Sequence, residues 1–138
     1  MATVIRPGIS ERNKYWIDKH RHYELKHFCL QYPIWKREYD LFDDGLNASS
    51  FERMYSTNTP SDPTSNLALK RAYYSEKIGL IERAAIETDD VLYDYILKAV
   101  TEGLSYTYLR NTLRIPCSKD LYYDRYRRFF WLLSRLRG

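Results

Sequence analysis

Cysteine is scarce in this chain of 138 residues, which has only Cys29 and Cys117. The two lie far apart and in no CxxC pair, so we predict neither a disulfide framework nor a zinc finger. No apolar run approaches the ~20 residues that cross a bilayer, and residues 1–8 lack the apolar stretch of a secretory signal. We therefore expect an intracellular, cytoplasmic protein with no membrane partner.

Glycine and proline are also few, five of each, and fall almost entirely at plausible helix boundaries. No stretch alternates apolar and polar residues for long enough to predict a sheet. With 44% hydrophobic and 29% charged residues, the chain is too apolar to be disordered throughout. We predict an all-α protein.

Charge is unevenly distributed along the chain. The formal net charge is +4, and residues 104–138 carry eight basic but only two acidic side chains. The rest of the chain carries fourteen basic and sixteen acidic side chains. The C-terminal quarter thus holds the whole positive excess, as expected where one face meets a polyanion.

Helical spacing predicts an N-terminal helical hairpin over residues 1–45, followed by a linker over residues 46–63 that is rich in Asn, Ser, Thr and Pro. We expect the first helix over residues 11–30, with Ser10 as its N-cap, and the second over residues 33–42. The apolar stripe of the first helix is predicted to comprise Trp16, Tyr23 and Leu30.

The C-terminal domain is predicted to span residues 64–138. We expect a long helix over residues 64–87 and a further helix over residues 91–102 that ends at Gly103.

A helix-turn-helix is predicted after Gly103. Ser105 is placed to cap a short helix, Ile115 to close the turn over the core, and Ser118 to cap a long final helix. The first helix of this motif braces the second, whose N-terminal residues enter the major groove of DNA. The predicted DNA-binding residues are Arg110, Arg114, Ser118, Lys119, Asp120, Tyr123, Asp124, Arg127 and Arg128.

These residues divide by the part of the duplex that they are expected to meet. We assign base edges to Ser118, Lys119, Asp120, Tyr123 and Asp124. Arg127 and Arg128 are better placed for phosphate. The two aspartates would repel phosphate, but a carboxylate can accept a hydrogen bond from the N4 amino group of cytosine.

Three stretches of the chain carry a family resemblance. They are Glu24-Leu25 to Glu38-Tyr39-Asp40-Leu41 with its Tyr32-Pro33 break, the segment Ile81-Glu82-Arg83-Ala84, and the segment from Ile115 through Ser118, Tyr122-Tyr123 and Arg125 to Arg127-Arg128. They resemble the RinA/ArpU-type transcriptional activators of phages and prophages of low-GC Gram-positive bacteria, whose C-terminal part is similar to the promoter-reading region of sigma factors. The resemblance implies a late-gene activator in the bacterial cytoplasm, with double-stranded DNA and host RNA polymerase as partners.

Two other functions remain open at this point. One is a small terminase-like DNA-packaging subunit, which would assemble as a ring. The other is a protein-interaction or inhibitor module whose working surface comprises Trp16, Trp35 and Tyr39. Whether the protein forms a homo-oligomer is also open.

Sequence patterns of catalysis and of cofactor binding are missing. The chain has no Gly-rich phosphate loop, no HExxH and no GxSxG. Among His20, His22 and His27, we consider a metal site because Asp18 and His22 have the i, i+4 spacing that places two side chains on one helix face. Cys117 precedes a helix, whose dipole would lower the thiol pKa, but it has no nearby histidine. We expect no enzyme, metal or cofactor. A tyrosine platform for single-stranded nucleic acid is a minor alternative.

Overall fold

The computed structural model describes residues 11–44 and 63–138, which form six α-helices and contain no strand. They are α1 (Lys19–Leu30), α2 (Tyr32–Asp44), α3 (Pro63–Thr88), α4 (Tyr93–Glu102), α5 (Tyr106–Asn111) and α6 (Lys119–Arg137). The predicted all-α class is confirmed. Ser10 and, apart from Pro63, the predicted linker lie outside the described residues. Within the described ranges, no helix combines the length and apolar character needed to cross a bilayer.

The described residues group into two compact units. One comprises the described parts of Met1–Gln31 and Leu80–Gly138, and the other the described part of Tyr32–Gly79. This grouping differs from the predicted boundaries after residues 45 and 63, because α1 packs against α4 and α6. The predicted pairing of α1 with α2 crosses the division between the units and stays a prediction.

The start of α1 differs from the prediction. Residues 11–15 form turns, and the helix begins only at Lys19. Asp18 is its N-cap, with a carboxylate oxygen that accepts a hydrogen bond from the backbone N–H of His20 at 2.9 Å. The predicted start at Glu11 is therefore wrong, and aspartate is as strong an N-cap as serine.

The buried face of α1 also differs from the predicted stripe. Trp16, Tyr23 and Leu30 are 37%, 38% and 37% exposed. The residues of α1 that are buried instead are His22, Leu25, Phe28 and Cys29. Their i, i+3 and i+7 spacing follows the 3.6-residue period of a helix and lets them share one face.

The core of the first unit is built on α6. Helical spacing predicts that five residues of α6 face inward: Tyr122, Tyr126, Phe129, Leu133 and Leu136. Tyr122, Phe129 and Leu133 are buried, with Phe130 beside them, whereas Tyr126 and Leu136 are half-buried. Full burial of an aromatic or leucine side chain contributes about 1.5–3 kcal/mol to the free energy of unfolding. The other buried apolar residues of α3 and α4 in this unit are Ile81, Ala84, Ala85, Ile96, Ala99 and Val100.

A left-handed glycine ends α4, as the sequence predicts. Gly103 has a φ of +71°, and the backbone N–H of Leu104 donates to the carbonyl of Ala99 at 3.0 Å. A residue with a Cβ is strained in this conformation. The chain can therefore reverse directly into α5.

The second unit contains α2 and the first part of α3. The Lys77 ammonium lies 5.6 Å from the Trp35 ring centre and 4.7 Å from that of Tyr73, and the Arg71 guanidinium lies 5.2 Å from that of Tyr39. Trp35 is buried. It is therefore not part of an exposed working surface of the kind that an interaction module would need.

Candidate nucleic-acid interface

The predicted caps of the helix-turn-helix are confirmed. The Ser105 hydroxyl accepts from the N–H of Tyr108 at 3.1 Å, and the Ser118 hydroxyl accepts from the N–H of Leu121 at 3.2 Å. Each cap satisfies a backbone donor that a helix N-terminus leaves without a partner. The two hydroxyls therefore define where α5 and α6 begin.

The turn between α5 and α6 closes over the core. Ile115 is buried, and its N–H donates to the carbonyl of Leu109 at 2.9 Å. Leu109 is fully buried, whereas its neighbour Tyr108 is exposed. One inward leucine and one isoleucine thus hold the turn in place.

Tyr106 braces α5 against the start of α6. Its hydroxyl donates to the carbonyl of Cys117 at 2.8 Å. Its ring centre lies 5.5 Å from that of Tyr122 and 6.5 Å from that of Tyr123. These contacts fix the position of the first turn of α6 relative to α5, which is the task of the bracing helix in this motif.

Three cations at this turn have no partner among the described residues. Arg110 lies in the last turn of α5, Arg114 lies between the helices and Lys119 begins α6, and all three are exposed. None of them takes part in a hydrogen bond, ion pair or ring contact within the described ranges. Arg114 has a φ of +58°, in the left-handed region that L-residues seldom adopt. These side chains are available to an external anion.

The guanidinium of Arg128, which was predicted to contact phosphate, is hydrogen-bonded within the protein. It donates to the carbonyls of Thr88 at 3.2 Å and Glu87 at 3.3 Å, and to the hydroxyl of Tyr15 at 3.3 Å. Cations are stabilising at helix C-termini, where carbonyls lack intrahelical partners. Arg128 therefore caps α3 and ties the N-terminal segment to α6.

Arg125 joins α6 to the turn after α3. It lies 3.1 Å from a carboxylate oxygen of Asp89 and 3.0 Å from one of Asp124. Asp89 also accepts from the N–H groups of Val91 and Leu92 at 2.8 and 2.9 Å. Partial burial acts to raise the pKa of Asp89, but these donors and Arg125 outweigh it and lower the pKa. This pair is not predictable from local sequence patterns, because its members are 36 positions apart.

The last two cations of α6 also act within the first unit. Arg137 lies 3.1 Å from a carboxylate oxygen of Glu24 and 4.7 Å from the ring centre of Phe28. The Arg135 guanidinium lies 4.7 Å from the ring centre of Trp131. Several of the arginines that give the C-terminal segment its positive charge therefore stabilise the fold.

Arg127 and Tyr123 are half-buried on α6. The Nε atom of Arg127 is buried without a hydrogen-bond partner among the described residues. The Tyr123 ring lies against those of Tyr122 and Tyr126, with centres 5.1 and 6.1 Å away. Both side chains are partly open to solvent, but packing restricts them more than it restricts Lys119.

The two aspartates that are predicted to contact base edges differ in whether their carboxylates already have a partner in the protein. Asp120 is exposed and has no hydrogen bond or ion pair within the described ranges, whereas Asp124 is paired with Arg125. Asp120 lies in the first turn of α6, where a negative charge also stabilises the helix. The hydroxyl of Ser118, predicted to meet a base edge, accepts the capping hydrogen bond described above.

The predicted effect of the helix dipole on Cys117 is wrong. Burial of the thiol and the nearby Asp89 carboxylate both raise the pKa of Cys117. Both cysteines are free. Asp18 caps α1 and His22 packs among aromatic rings, and the described ranges contain no group of three or more His, Cys, Asp or Glu side chains that could hold a metal ion.

No family model matches the chain, and neither a curated protein nor a solved structure with significant similarity is found.

Proposed function

We propose that the protein is a sequence-specific double-stranded DNA-binding regulator of transcription, with the first turns of α6 in the major groove. The observation that carries this proposal is the set of three exposed, unpartnered cations at a capped and braced helix-turn-helix. Arg110, Arg114 and Lys119 supply positive charge on both sides of the turn, where a duplex docked on α6 would bring its phosphates.

The internal use of the other arginines strengthens the argument. Within residues 104–138, Arg125, Arg128 and Arg137 have carboxylate or carbonyl partners in the protein. The exposed cations of this segment that have neither such a partner nor an aromatic ring contact, Arg110, Arg114 and Lys119, lie at or beside the turn. Activation of phage or prophage late genes and contact with host RNA polymerase belong to the proposal through the resemblance to RinA/ArpU-type activators.

Salt dependence tests the DNA-binding proposal. Contacts of Arg110 and Arg114 with phosphate would release counterions and give log Kd against log salt concentration a slope of about 2 in magnitude. The measurement is fluorescence anisotropy of the purified full chain with a labelled duplex, titrated at several salt concentrations. Arg110→Ala and Arg114→Ala should each reduce the slope by about 1.

Arg135→Ala is the matched control for these variants. It removes an arginine from the same region, but this arginine packs on Trp131 at the other end of α6, so the slope should not change. Binding that is independent of salt, or equal affinity for every duplex sequence, would contradict the proposal. A ring-shaped oligomer in solution would favour the DNA-packaging alternative instead.

A further inference from the structure

The first two turns of α6 present a leucine beside two carboxylates on the exposed side of the helix. Each residue advances about 100° around a helix, which places Asp120, Leu121 and Asp124 furthest from the stripe of buried residues that includes Tyr122 and Phe129. Leu121 is 39% exposed, in a turn whose other exposed residues are charged. It is the apolar member of the surface that a duplex docked on α6 would meet.

The position of Leu121 is well defined although its side chain is exposed. Its N–H is held by the Ser118 hydroxyl, and its neighbour Tyr122 is anchored against Tyr106. An apolar side chain gains free energy only when it is covered by another apolar group. At the base edges of the major groove, the apolar group is the 5-methyl of thymine.

The carboxylate of Asp120 favours a hydrogen-bond donor on the base pair next to that thymine. This carboxylate accepts hydrogen bonds and has no partner among the described residues, whereas Asp124 is already paired with Arg125. The hydrogen-bond donors in the major groove are the amino groups of cytosine and adenine. A carboxylate and an apolar side chain at adjacent positions therefore suit an amino group next to a methyl group.

We propose that Leu121 is a specificity-determining residue that contacts the 5-methyl group of a thymine, beside a base pair whose amino group faces Asp120. This inference rests on the proposed function and extends it from duplex DNA to the base that is read. It assigns a role to a residue outside the nine predicted from the sequence.

Replacement of thymine by deoxyuridine tests this inference, because it removes only the methyl group. The tightest-binding duplex is first selected from a random library with the wild-type protein, and each thymine is then replaced singly. One replacement should weaken binding of the wild-type protein about fourfold, the effect of losing one buried methyl group. The same replacement should leave the affinity of Leu121→Ala unchanged.

Ile86→Ala is the control, since Ile86 is also exposed but lies on α3. This variant should retain the fourfold effect of deoxyuridine, and circular dichroism confirms that each variant is folded. If the library yields no preferred duplex, the proposed function fails. If a preferred duplex is found but contains no methyl-sensitive thymine, or if Leu121→Ala shows the same sensitivity as the wild-type protein, the role of Leu121 is overturned and the DNA-binding function stands.

Discussion

Arg114 has a backbone conformation that its side chain makes costly. Its φ of +58° lies in the left-handed region, which costs an L-residue about 1–2 kcal/mol and which glycine adopts freely. The tight turn over Ile115 requires the left-handed backbone conformation at this position, but it does not require an arginine side chain. An exposed guanidinium at this point is readily explained if it binds an anion, as the proposed phosphate contact requires.

Two replacements of Arg114 distinguish the free-energy cost of its backbone conformation from the contribution of its charge to DNA binding. We expect Arg114→Gly to be more stable than Arg114→Ala by about 1 kcal/mol, because only glycine relieves the left-handed strain. Both variants should show the same reduced salt slope in DNA binding. Urea denaturation measures the difference in stability. A glycine variant that is no more stable than the alanine variant would contradict this account of the turn.

At the scale of the element, the first turns of α6 differ from the rest of the helix in the exposure of their side chains. Its first turns carry exposed polar and charged side chains, whereas Phe129, Phe130 and Leu133 further along are buried. Ser118 belongs to the first part, but its hydroxyl is used within the helix. Its role as a cap can therefore be tested apart from any contact with DNA.

Ser118→Ala should lower the free energy of unfolding by about 1 kcal/mol, because a backbone donor at the start of α6 loses its partner. Ser118→Asp should restore most of this loss, since aspartate caps a helix as well as serine does. Chemical denaturation of the two variants and the wild-type protein gives both values. Equal stability of all three proteins would show that the cap contributes nothing.

Local signals in the sequence were sufficient for most helices but not for their packing. Ser105, Ser118 and Gly103 act within a few residues of their own positions, so the pattern predicted the boundaries that they set. The buried face of α1 depends on α4 and α6, which no local period reveals. The two carbonyl partners of Arg128 are about 40 positions away, and the hydroxyl of Tyr15 is 113 positions away, so its role as a cap of α3 cannot be predicted from local sequence.

At the scale of the molecule, α1 brings a buried histidine into the core of the first unit. The His22 ring lies 4.6 Å from that of Phe130 and 6.0 Å from that of Tyr126, measured between ring centres. Its Nε2 atom is buried without a partner among the described residues. Burial, with a smaller contribution from Lys26, lowers the pKa of His22 from 6.5 to about 4.

This histidine should make the protein sensitive to mild acid. Because the pKa of His22 is lower in the folded protein, protons bind the unfolded chain more readily, so stability is full above pH 6.5 and falls as the pH drops towards about 4. The loss across this window should be about 3 kcal/mol. His22→Phe should flatten the dependence in urea denaturation at several pH values, whereas exposed His20→Gln should not. A wild-type protein that is equally stable at pH 7 and pH 4.5 would refute the assignment.

The contact of α1 with the end of α6 also affects when the protein can fold during translation. Arg21 donates to Ser134 and Arg137 pairs with Glu24, and in each pair the partners are 113 positions apart. A ribosome adding about 5–20 residues per second needs about 6–23 s to translate that stretch. During synthesis α1 can pack against α4 before α6 is made, but the part of its buried face that contacts α6 stays exposed until then. The first unit therefore completes its core only after translation of α6.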